Sequence, residues 1–285
     1  MIQLTDLSFA YTKGRPLFEG LQLSIPGGNI YGLLGKNGAG KTTLLSLISG
    51  LLFPTQGSCE VMGYTPSERA PSLLADLFFI PEELHIPSLK IKAFVDIYAP
   101  FYPKFDRAQF ENLLAEFKLE DDRKLTKLSY GQKKKVMLCF GLATNCRLLI
   151  LDEPTNGLDI PSKTQLRKIL AGAISDDRTF IISTHQVRDL ANLMDPIIII
   201  NEGKIIFQES LESINNKLQF QLEYREPGPE QAIYAERVPG GYMTINPQNG
   251  EGEEEVDLEV LFNAVIEKTS YFTDLFKTDY NYASE

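Results

Sequence analysis

An α/β fold built on a parallel sheet is the class this sequence predicts, with an antiparallel β portion ahead of it and a small α+β extension behind. Three observations predict it. Short apolar runs at 30–34, 77–80, 148–151, 180–183 and 197–200 are separated by segments of helical character, the pattern of strands joined by crossover helices. The first of these runs passes through a glycine-rich turn directly into an apolar helix at 42–49. The chain has 285 residues, 43% of them hydrophobic and 23% charged, which suffices for one large domain and a small second one.

Along the chain, Ile2, Leu4, Leu7 and Phe9 interleave with polar residues and read as a strand. A turn at Lys13-Gly14-Arg15-Pro16 leads to a second strand over 17–25, ending at Pro26-Gly27-Gly28, so the two form an antiparallel pair. The stretch 91–120 is mostly helical and holds Phe94, Tyr98, Phe101, Tyr102, Phe105, Phe110 and Phe117. These aromatics read either as a helical core or as a docking face for a partner. Asn201-Glu202-Gly203-Lys204 is a hairpin turn into 205–207. From Ser210 the texture changes: short strands at 218–224, 232–238 and 241–245, an acidic stretch at 251–255, then a helix over 258–268. The expected division is therefore 1–209 and an accessory unit over 210–285, with no internal repeat.

No apolar run approaches the roughly 20 residues needed to span a bilayer, and Met1-Ile2-Gln3-Leu4-Thr5 does not open a secretory signal. Work at a membrane would require docking onto another polypeptide. The net charge of -10 disfavours nucleic acid and acidic lipid as partners. The one dense basic run, Lys133-Lys134-Lys135, reads as a solvated helix face. Cys59, Cys139 and Cys146 show no metal-type spacing and read as reduced thiols of a cytosolic protein, Cys139 as core.

Three motifs carry chemistry. Gly35-Lys36-Asn37-Gly38-Ala39-Gly40-Lys41-Thr42 fits the pattern G-x-x-x-x-G-K-[ST], between strand and helix. Its glycines let backbone N–H groups curl inward around phosphate oxygens, and the helix start adds positive potential. Lys41 reaches the terminal phosphates and Thr42 offers a hydroxyl to Mg²⁺; Thr43 continues the motif. Leu148-Leu149-Ile150-Leu151-Asp152-Glu153 is a buried strand delivering two carboxylates at its end, where parallel sheets bind ligands. Asp152 can hold Mg²⁺, directly or through water, and Glu153 can deprotonate an attacking water. Leu128-Ser129-Tyr130-Gly131-Gln132, at the start of a further helix, is a second phosphate-type N-terminus. One nucleotide does not need both sites, which implies two subunits, each offering its second site to the other.

With these motifs in this order, the segment from about Ile2 to Phe207 resembles the ATP-binding cassette ATPases. The resemblance makes the first motif the Walker A P-loop, the second the Walker B strand, and 128–132 the signature, with Tyr130 in place of a glycine. Asn156-Gly157-Leu158-Asp159 resembles the D-loop. Ser183-Thr184-His185 resembles the strand end bearing the switch histidine, and Tyr11 the aromatic that stacks on adenine. Phe79-Ile80-Pro81-Glu82 resembles the Q-loop, with Glu82 where glutamine is usual.

The family fold implied is a P-loop NTPase core with an antiparallel β subdomain and a helical subdomain at about 84–145. The implied function is ATP binding and hydrolysis, in a homodimer or heterodimer of cassettes driving separate transmembrane permease subunits, at the inner face of the cell membrane. Within it Glu153 and His185 would be catalytic. Tyr11, the 35–43 loop, Ser129, Gly131 and Gln132 would hold ATP, and Thr42, Glu82 and Asp152 would hold Mg²⁺. The Pro-Glu-Glu form of the Q-loop and the short C-terminal extension are similar to cassettes of ABC-2-type exporters. The competing reading is a non-transport member acting on ribosomes or DNA. Against it stand the single cassette, the lack of a long coiled-coil insertion and the acidic charge; a P-loop kinase conflicts with the signature.

Overall fold

The computed structural model describes residues 1–228, 231–248 and 255–276. Its centre is a six-stranded sheet: β3 (Ile30–Leu34), β5 (Leu77–Ile80), β6 (Leu148–Asp152), β7 (Thr179–Thr184), β8 (Ile197–Asn201) and β9 (Lys204–Glu209). The order across the sheet is β5-β6-β7-β3-β8-β9. All neighbours are parallel except β8 and β9, which form the hairpin expected at 201–204. Strands β3, β6 and β7 are buried along their whole length. That is why they read as continuous apolar runs rather than alternating ones.

One face of this sheet is covered by α1 (Lys41–Ile48) and by a separate antiparallel sheet. That sheet contains β1 (Ile2–Phe9), β2 (Phe18–Ile25) and, on the other side of β1, β4 (Gln56–Val61). The expected pair is thus a three-stranded sheet. Strand β4 pairs with β1 along 56–61, but only Cys59 and Val61 of it are buried. Leu4, Leu7, Leu21 and Leu23 pack from this sheet against Leu44, Leu45 and Leu47 of α1.

The other face carries α3 (Ile91–Tyr98), α4 (Arg107–Glu116), α5 (Tyr130–Ala143) and α6 (Ile160–Ala173); a short α2 (Pro71–Leu74) precedes β5. Phe140 of α5 is the hub of the helical core, with Phe78, Phe94, Tyr102, Phe105 and Phe110 all within 6.3 Å ring to ring. Edge-on and tilted contacts of this kind add to what burial alone supplies. The aromatic stretch therefore divides between the two readings. Phe94, Phe110 and Phe117 are core, whereas Phe101 is 67% exposed and Tyr98 and Ile97 are also exposed.

After β9 come α7 (Leu211–Lys217), a three-stranded antiparallel sheet of β10 (Leu218–Glu223), β11 (Tyr234–Val238) and β12 (Gly241–Pro247), then α8 (Leu258–Glu267) and α9 (Thr269–Phe276). Their apolar side chains, Phe220, Ile245, Leu261, Val265 and Phe272 among them, join the same continuous core as the helices. Residues 251–254 of the acidic stretch lie outside the described residues.

Candidate functional site

The glycine-rich loop runs from the end of β3 to α1, and its glycines are sterically required. A Cβ on Gly35 would stand 2.7 Å from the Ile200 carbonyl oxygen, and Gly40 has φ 110 with the Phe18 ring 2.8 Å from where its Cβ would be. Helix α1 starts at Lys41 with no side chain capping it. Its first-turn N–H groups therefore remain available to an anion. Tyr11, Asn37, Gly38, Gly40, Lys41, Thr42, Thr43, Glu82 and Glu153 line one cleft of about 410 Å³. Of the remaining loop residues, Gly35 and Ala39 are buried beneath it and Lys36 is exposed.

Six side chains from three elements converge at its floor. The Lys41 ammonium donates to the Gly35 carbonyl at 2.7 Å and lies 3.6 Å from Glu153 Oε1. Nδ1 of His185, from the end of β7, is 2.7 Å from that same oxygen. Asp152 is fully buried. It accepts a 2.7 Å hydrogen bond from Thr42 Oγ1 on one oxygen and one from Ser183 Oγ on the other. Glu153 Oε2 is buried and accepts no hydrogen bond among the described residues. A buried carboxylate oxygen left so is costly unless something else donates to it, and a water or substrate hydroxyl is the natural donor. Tyr11 stands at the rim, 67% exposed, its hydroxyl bonded to Thr43 Oγ1 at 3.0 Å and its ring edge-on to Phe9.

The donor set suits Mg²⁺. A hydroxyl and a carboxylate already sit side by side in Thr42 and Asp152, and among the described residues no cluster of three or more His, Cys, Asp or Glu forms a complete protein cage. Mg²⁺ is held in that way, by one or two protein oxygens together with phosphates and water. Glu82 faces the same cleft, with its Oε1 held by Asn156 Nδ2 at 2.9 Å. Asn156 in turn accepts from Gln186 Nε2 at 3.3 Å. One chain of hydrogen bonds thus joins the 79–82, 156–159 and 183–186 segments.

Ser129, Gly131 and Gln132 are not brought to this cleft. Ser129 caps α5 in a reciprocal capping box: its Oγ accepts from the Gln132 N–H, and Gln132 Oε1 accepts from the Ser129 N–H. Tyr130 lies against Gly157, whose φ of 78 and missing Cβ make room for the ring, and its hydroxyl donates to the Glu82 carbonyl. The lysine run departs from the expected solvated face. Lys134 is fully buried, and its ammonium donates to the Glu153 carbonyl. Burial pulls its pKa below the usual lysine range, opposed by Glu82, Asp152 and Glu153. Sequence reasoning read this residue as part of that solvated face, and the helix, buried at 134, 136 and 138–143, offers no single buried stripe that would have marked it.

The ABC transporter family model matches residues 18–156. The chain is 32% identical to the SkfA peptide export ATP-binding protein SkfE of Bacillus subtilis, over 72% of this chain and 87% of that one. It is also 32% identical to the nickel import ATP-binding protein NikO of Rhodobacter capsulatus, over 71% and 86%. A solved structure of an ATP-binding subunit of an ABC transporter superposes with a TM-score of 0.67 at 25% identity, covering 75% of this chain and 92% of that one. The chain belongs to the ABC transporter family, as an ATP-binding subunit that hydrolyses ATP.

Proposed function

We propose that this subunit works as one of a pair of cassettes, hydrolysing Mg-ATP at the Lys41–Glu153–His185 cluster to drive an ABC-2-type export permease. The observation that carries the reading is the convergence of Lys41 and His185 on one oxygen of Glu153, with the other oxygen buried and without a donor. In this reading Glu153 orients the attacking water and takes its proton through Oε2. His185 holds the γ-phosphate and keeps Glu153 aligned; its Nε2 makes no hydrogen bond among the described residues. Lys41 and the N–H groups of the 35–43 loop neutralise the phosphates, and Tyr11 stacks on the base. Bound Mg²⁺, held by Thr42 and Asp152 with Glu82 beside them, supplies the charge that stabilises phosphoryl transfer. Ser129, Gly131 and Gln132 serve the nucleotide of the partner cassette, which is consistent with their distance from this chain's own cleft.

Export, rather than import, is supported by the likeness to SkfE and by the Pro81-Glu82-Glu83 sequence; the likeness to NikO is the counterweight. No helix among the described residues is long and apolar enough to cross a membrane. Attachment at the inner face of the membrane would come through the permease. The division into a cassette, 1–209, and an accessory unit, 210–285, is part of the same proposal.

The experiment is Glu153→Gln. It is expected to bind Mg-ATP with wild-type affinity and accumulate as a two-copy complex by light scattering. Its hydrolysis should be at least about 100-fold slower, the usual contribution of a positioned base. Near-normal turnover would remove Glu153 from that role.

A further inference from the structure

We propose that Lys134 is a positioning residue that ties the start of the signature helix to the general base of its own subunit. The inference rests on the assignment of Glu153 as that base. Lys134 sits in the second turn of α5, two residues beyond the Ser129–Gln132 capping box. Its side chain runs inward rather than to solvent, is fully buried, and ends on the Glu153 carbonyl. The ammonium also lies 5.6 Å from the centre of the Tyr130 ring, whose hydroxyl holds the Glu82 carbonyl. One buried cation thus touches or faces the signature, the base and the 79–82 loop.

The backbone of Glu153 explains why a clamp is needed there. Glu153 has φ 47, a left-handed conformation that a residue with a side chain adopts at a cost. Its N–H is anchored to Ser183, to the carbonyl at 3.1 Å and to Oγ at 3.2 Å. Its C=O accepts from the Lys134 ammonium and, at 3.2 Å, from the Asn156 N–H. With both peptide groups fixed, the side chain is aimed between Lys41 and His185. Losing the Lys134 anchor leaves the carbonyl with only the Asn156 N–H at 3.2 Å and lets the peptide rotate toward an ordinary conformation, carrying the carboxylate off line. A full charge is an expensive way to satisfy one carbonyl, so packing alone does not account for a lysine here. The three nearby carboxylates, Glu82, Asp152 and Glu153, are what the charge answers. Because the same helix begins with the residues assigned to the partner's nucleotide, a shift of α5 on engagement is delivered to Glu153 through this contact.

The test uses the full chain carrying Lys134→Met, alone and combined with Glu153→Gln. Steady-state Mg-ATP hydrolysis, equilibrium Mg-ATP binding and thermal melting are measured together. Lys134→Met is expected to lower kcat at least tenfold and leave KM and the Mg-ATP Kd within threefold. In the Glu153→Gln background it is expected to cause no further loss, because both changes disable one unit. Wild-type kcat in Lys134→Met, or losses that multiply in the double variant, overturns the proposal. If Lys134→Met does not melt cooperatively, Lys134→Gln is read by the same criteria with a threshold of threefold. Near-normal turnover in Glu153→Gln alone is a different result: it defeats the base assignment itself.

Discussion

At the scale of single residues, the site is organised around a backbone conformation. Glu153 follows four apolar strand residues and Asp152, and its left-handed turn separates the two carboxylates. Asp152 stays with Thr42 and Ser183, while Glu153 turns toward Lys41 and His185. Adjacent acids thereby acquire different surroundings. The same reasoning bears on Glu82. Its Oε1 only accepts a hydrogen bond from Asn156, and a glutamine in its place can offer the same oxygen. Glu82→Gln is therefore expected to retain ATPase activity within about fivefold of wild type, since a preserved hydrogen bond between partners is worth about 1 kcal/mol or less in difference. Abolished phosphate release would show the carboxylate charge to be indispensable. The residues of the cleft were legible because each motif carries its own chemistry at fixed spacing. Lys134 was not, for two reasons. Lysines are almost always exposed. And α5 is apolar on nearly every side beyond Gln132, from Val136 to Ala143, so its periodicity does not single out one buried stripe.

At the scale of elements, legibility follows burial. Strands β3, β6, β7 and β8, buried on both faces, each carry an apolar run and were visible by it. Strand β4 was missed because it lies at the sheet edge. Gln56, Gly57 and Ser58 are exposed, and Gly57 has φ 75 where the pairing register with β1 shifts. Two inward residues in six make too weak an alternation to read. The aromatic helices present the reverse difficulty: one composition served two purposes. Phe140 and its ring partners build the core. Phe101, on a turn between α3 and α4, instead rims a groove of about 700 Å³ with Leu51, Leu74, Phe79 and Tyr102. An exposed phenylalanine on an apolar groove is the composition of a docking surface. Phe101→Asp is expected to abolish co-sedimentation of the subunit with membranes containing its permease and to leave Mg-ATP binding intact. Undiminished co-sedimentation would move the docking surface elsewhere.

At the scale of the whole molecule, the core holds three thiols whose titration links fold stability to pH. Cys59, Cys139 and Cys146 are all buried and free. Burial, which penalises the thiolate, pushes Cys59 from 9.0 up to about 12 and Cys146 up to about 11; Cys139 is raised as well. In the unfolded chain these groups lose their protons near pH 9, while in the folded chain they keep them. Between those values the folded state binds more protons, so stability falls as pH rises. The contribution is fully present below about pH 9 and declines through the window up to about 11 to 12. At pH 10.5 a single such thiol costs the fold up to about 2 kcal/mol. The net charge of -10 adds self-repulsion in the same direction as lysines deprotonate, so the two contributions must be separated. The urea midpoint of the wild-type chain is expected to fall between pH 8 and 10.5, and the fall is expected to be smaller in Cys146→Ala. Alanine carries no proton to lose but leaves the charge elsewhere unaltered. An equal fall in both chains would assign the alkaline sensitivity to surface repulsion rather than to the thiols beneath the sheet.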